Sequence, residues 1–142
     1  MNSVRKFLRL NRDERAALAE AGALVLVIRI AQWMLPWRAV VGTSRAIPLP
    51  IRRSLPVESL AWAVRAVSTR IPRATCLTQA LALHRLMDRA GHQARVRIGV
   101  AKAADGGFEF HAWVEHAGQP LLNNAGDIAQ YATLLTLESP SP

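Results

Sequence analysis

Apolar residues run almost without interruption from Ala16 to Ile30, broken only by Glu20 and Arg29. That density is too continuous for a single stripe and predicts a helix buried or docked over most of its surface. Asn11 followed by Glu14 supplies a capping box at its start, and Pro36 stops it near Leu35. The segment Pro36–Pro56 carries four prolines and reads as an irregular connector. Val57–Arg70 sets Leu60, Val64 and Val67 on one stripe and predicts a second helix, with Pro72 just beyond it. A short loop, Pro72–Thr75, leads into a third helix, Cys76–Ala90, closed by Gly91. Its core face is marked by Leu77, Leu81, His84 and Met87.

The period then changes from 3.6 to 2. Ala94–Ala101 alternates Val96, Ile98 and Val100 inward with Arg95 and Arg97 outward, as a half-buried strand does. Ala104-Asp105-Gly106-Gly107 provides a turn into a second strand, Phe108–His116. Phe108, Phe110, Ala112 and Val114 are expected on its core face; Glu109, His111, Trp113 and Glu115 are expected opposite. Gly118 turns into a third short strand, Gln119–Leu122, and Asp127 is expected to cap a last helix, Ile128–Leu137. The pattern predicts one α+β domain over residues 1–142. An apolar, basic helical region and connector occupy 1–54. The core spans 55–137, with the Cys76 helix packed on a small antiparallel sheet, and a loose tail covers 138–142.

Composition narrows the class. With 51% hydrophobic and 20% charged residues among 142, the chain can bury a core and is not a disordered one. The net charge of +8 is uneven: residues 1–75 hold 13 basic against 4 acidic side chains, and residues 76–142 hold 5 against 6. The basic residues are mostly arginines scattered among Ala, Val and Leu, without aromatic interleaving or a recognisable reading helix. Nucleic acid is therefore not the expected partner, and an acidic protein or peptide is. The uncharged run Ala21–Ile28 is far shorter than the roughly 20 residues that span a bilayer, so a buried helix is expected there. Docking against a membrane surface or a partner protein is the alternative. One cysteine and no secretory signal indicate a cytoplasmic setting.

The chemistry centres on that cysteine. Cys76 falls at a predicted helix start, where unpaired N–H groups and the positive end of the dipole favour an anion. Those N–H groups can also hold the oxyanion of an acyl-transfer intermediate. His111, on the strand face away from the core, can act as the base if the helix tip lies on that side. Asn123, at the end of the neighbouring strand, is the first candidate to orient the imidazole, and Asp127 is its competitor, with the N-cap role as its other use. Gln79, one turn into the helix, reads first as a plain helix-surface residue, with substrate orientation as its alternative use. His84 is expected to be satisfied in the core or at a helix surface, with His92 in a turn and His116 at a strand end. Trp33, Trp37 and Trp62 read as core or docking residues. No spacing suits a zinc site, and no cofactor is expected.

The span CLTQALALHRLMDRAGHQARVRIGV, followed by FHAWVEHAGQPLLN, resembles the transglutaminase-like leader peptidases of lasso-peptide biosynthesis, the B-protein family, over about residues 55–137. The Trp33-Met-Leu-Pro36-Trp37 end of the first helix suits that family's N-terminal region. The resemblance implies a cysteine-protease core with Cys76 as nucleophile and His111 as general base. The family's third member is usually Asp, and the matching position here is Asn123. It implies the stand-alone form, working on a precursor peptide with a leader-recognition protein and an ATP-dependent lasso cyclase. Two other functions use the same residues: a transglutaminase-type acyl transferase, and a non-catalytic peptide-binding subunit in which Cys76 is merely packed.

Overall fold

A computed structural model describes residues 9–36, 38–40, 42, 55–71, 75–122 and 125–138. Most of the predicted connector, Trp37, Asn123 and the end of the tail lie outside the described residues. The elements run α1 (Arg12–Met34), α2 (Val57–Ser68), α3 (Cys76–Ala90), β1 (Arg95–Lys102), β2 (Phe108–His116), β3 (Gln119–Leu121), α4 (Ala125–Ile128) and β4 (Ala132–Glu138).

Local chemistry sets the helix ends. The Asn11 carboxamide accepts from the Glu14 amide while the Glu14 carboxylate accepts from the Asn11 amide, so the capping box forms as read. Gly91 closes α3 at a φ of 84°, a conformation glycine enters without a Cβ penalty.

Helix α3 is central: α1 and α2 pack on one side of it, and the sheet packs on the other. Leu81, Leu83, Leu86 and Met87 are all buried, with Leu24 and Ile28 from α1, Leu60 and Val64 from α2, and Val96 and Val114 from the sheet. Two polar clamps join α1 to α3. Near the start of α3 the buried Thr78 hydroxyl donates to the Gln32 carboxamide oxygen at 2.5 Å. Near its end the buried Arg89 pairs with Glu20, the polar interruption of the apolar run.

By length and composition α1 could cross a bilayer, because its 23 residues include an 18-residue stretch of mean hydropathy 1.5. The eight-residue run between Glu20 and Arg29 understated it. Its inner face nevertheless belongs to the core through Ala17, Ala21, Leu24, Val25, Ile28 and Ala31. Its outer face leaves Leu26, Val27, Ile30, Trp33 and Met34 exposed.

The sheet has four antiparallel strands in the order β3-β2-β1-β4, not the three expected. The predicted terminal helix Ile128–Leu137 is instead one helical turn followed by strand β4 along β1. Leu135 pairs with Ile98 and Thr133 with Gly99, so Leu134 is an extra residue in a bulge. The bulge breaks the period of 2 and hides the strand behind two consecutive leucines. Asp127 therefore lies inside the one-turn helix α4 and caps no long helix.

The expected core face of β2 is corrected at one end. Ala112 and Val114 are buried, whereas Phe108 and Phe110 are exposed. Helix α3 begins at Cys76 beside Ala112, so the two phenylalanines on that face run past its tip. Trp113, expected outward, is buried on the opposite face.

Candidate active site

Thr75 is the N-cap of α3. Its hydroxyl oxygen accepts from the Thr78 amide at 3.3 Å and lies 2.9 Å from the Thr78 hydroxyl. Cys76 is thus the first helical residue, and neither its amide nor that of Leu77 has an intrahelical acceptor. The Thr75–Thr78–Gln32 chain fixes this tip against α1, which makes the position of the sulfur a property of the core. Cys76 is half-buried and free.

Cys76, Gln79 and Ala80 form one wall of a small cleft, of about 130 Å³, whose other wall is His111, Ala112, Trp113, Val114 and Leu122. The thiol and imidazole expected from the sequence therefore share a cavity, and Gln79 lines it too. Leu122 takes a φ of +68° as the chain leaves β3, a strained conformation for a branched side chain, at the cleft's edge.

The four histidines divide by their partners. His84 Nε2 meets the Ala94 carbonyl at 3.3 Å, His92 Nε2 the Leu55 carbonyl at 2.8 Å, and His116 Nδ1 the Gln93 carbonyl at 2.6 Å. These three tie backbone segments together. Among the described residues His111 has ring contacts only. Its imidazole stacks on Trp113 at 6.2 Å and on Tyr131 at 5.2 Å between centroids.

Trp113 is itself held. Its Nε1–H donates to Glu115 at 3.1 Å, and the second Glu115 oxygen accepts from Arg97 Nε at 2.7 Å. A Cβ at Gly99 would stand 3.0 Å from both the Trp113 ring and the Ala132 carbonyl oxygen. Glycine there is what lets the indole lie flat across β1.

The structure does not bring the competing third residue to the imidazole: Asp127 is exposed on α4 and has no hydrogen bond to His111. Asn123 falls outside the described residues. Sequence reasoning missed Tyr131, which arrives just before β4. Burial and the adjacent Glu109 carboxylate, which accepts the phenol's hydrogen bond, push its pKa above the usual 10.0. It is the chain's only tyrosine, so ultraviolet titration reads it alone. The phenol of the wild-type protein is expected to ionise above pH 10, and Glu109→Gln is expected to lower that midpoint by removing the carboxylate.

A cysteine at a helix tip sharing a cleft with a histidine on an antiparallel sheet, in an α+β domain, is the arrangement of papain-like and transglutaminase-like proteins. The chain belongs to the transglutaminase-like superfamily, whose sequence profile matches residues 18–136. The match begins inside α1, so the helix under the Cys76 tip is part of the family domain. No curated protein and no solved structure matches the chain significantly. That superfamily includes cysteine peptidases and acyl transferases.

Proposed function

We propose that this protein is a cytoplasmic cysteine peptidase that removes the leader from a ribosomally made lasso-peptide precursor. The observation that carries the reading is the shared cleft of Cys76, at the first position of α3, and His111 on β2. The Cys76 sulfur attacks the scissile carbonyl, and His111 takes the thiol proton and returns it to the leaving amine. In this reading the amides at the α3 tip hold the oxyanion, and Gln79, which lines the cleft, orients the substrate. Water then releases the acyl group from the sulfur. Asn123 is the residue we assign to hold the ring.

The outer face of α1 is the proposed docking surface for the leader-recognition protein, which passes the freed peptide to the ATP-dependent cyclase. Leu26, Val27, Ile30, Trp33 and Met34 form an open apolar stripe there, in the half of the chain that carries the basic excess. An acidic partner surface with an apolar centre complements it.

Mass spectrometry of the precursor, incubated with this protein and the recognition protein, tests both parts. Wild type is expected to cut one bond and give products whose summed mass exceeds the precursor's by one water. Cys76→Ala is expected to leave it intact. Products joined without added water would indicate acyl transfer, and equal output from both proteins would leave only a binding role. In the same assay Ile30→Asp with Trp33→Asp is expected to abolish the partner's stimulation while Cys76 still reacts with iodoacetamide.

A further inference from the structure

We propose that Tyr131 is a positioning residue for His111, a plate delivered by the C-terminal strand that fixes the imidazole at the angle from which it faces Cys76. The inference deepens the peptidase reading and rests on it.

The imidazole needs such a support. His111 is half-buried, and its contacts among the described residues are the two aromatic rings. Tyr131 is the nearer of the two. The Tyr131 and Trp113 rings also meet, at 6.3 Å, so the three form a closed triangle.

Tyr131 is fixed at both ends. Its amide donates to the Ile128 carbonyl at 3.0 Å, and the next residue, Ala132, enters the sheet opposite Val100. Its hydroxyl donates to Glu109, two positions before His111 and on the same face of β2. The phenol therefore spans two neighbouring side chains of one strand, holding the carboxylate with its oxygen and covering the imidazole with its ring. It also lies within electrostatic reach of Cys76. A ring so placed limits the rotation of His111 and keeps water off one of its faces.

Cys76 is the only cysteine, so the mass added by iodoacetamide reads that thiol without any substrate. Alkylation rates from pH 5 to 9 would be measured for wild type, His111→Ala, Tyr131→Leu, Tyr131→Phe and Glu109→Gln, with a thermal melt of each. Wild type is expected to react faster than His111→Ala. Tyr131→Leu is expected to lose roughly tenfold and to adopt the His111→Ala profile, since small misplacements of a reacting group carry losses of this order. Tyr131→Phe and Glu109→Gln, which both keep the plate, are expected to stay near wild type. A folded Tyr131→Leu protein with the wild-type profile would overturn the proposal and leave the Cys76–His111 pairing standing. Equal rates in wild type and His111→Ala would overturn the pairing and this proposal together. If Tyr131→Leu does not fold, Tyr131→Met takes its place, and a folded Tyr131→Met protein with the wild-type profile would overturn the proposal.

Discussion

His111→Ala is expected to reduce precursor cleavage by about as much as Cys76→Ala, roughly 10⁴- to 10⁶-fold each, and the double variant is expected to be no worse than either single one. The expectation follows from the shared cleft. A base that works only by activating one sulfur has nothing to act on once the sulfur is gone, so the two losses do not add. Two groups contributing independently, one to chemistry and one to substrate binding, would give a double variant worse by the product of the single effects. Rates from quenched time courses for the three variants, with folding checked by circular dichroism, distinguish the cases. A single-variant His111→Ala loss below about tenfold would remove this residue from the general-base role.

What the sequence disclosed of this site, and what it withheld, follows the range of the forces involved. Cys76 at a helix start was legible because caps are local: Thr75, Thr78 and Gly91 act within a turn of the helix they bound. The placement of His111 on β2 was legible because strand alternation is local as well. The burial of the alternate residues was not. Phe108 and Phe110 share a face with Ala112 and Val114, yet their exposure depends on where α3 begins, which no window along β2 contains. Strand β4 stayed hidden because its bulge at Leu134 sets two leucines side by side, and its partner β1 lies some 35 residues earlier. Tyr131 went unseen with it: twenty residues separate it from the imidazole it covers, and only the fourth strand brings them together. Glu20, conversely, was visible as a flaw in an apolar run, but its reason lies in Arg89, 69 residues on.

That ion pair carries the largest expected effect on stability. Glu20→Ala is expected to destabilise the fold by about 3–5 kcal/mol, a large part of the roughly 5–15 kcal/mol that holds a domain of this kind together. The Arg89 side chain is 2% exposed, and its Nε and Nη1 have no partner among the described residues, so the Glu20 carboxylate is its principal compensation. Removing that carboxylate leaves a guanidinium that can be neither solvated nor neutralised, because arginine keeps its proton at any working pH. Replacing both partners, as in Glu20→Ala with Arg89→Met, is expected to recover most of the loss, since the buried charge goes with its partner. Urea unfolding midpoints for the two variants measure the difference, and similar midpoints would mean that water reaches Arg89. The consequence extends to chemistry. Glu20–Arg89 and Gln32–Thr78 both tie α1 to α3, and the second sits within one turn of Cys76. Loosening α1 at Glu20 removes one of these ties, so Glu20→Ala is also expected to slow Cys76 alkylation under conditions where the protein remains folded.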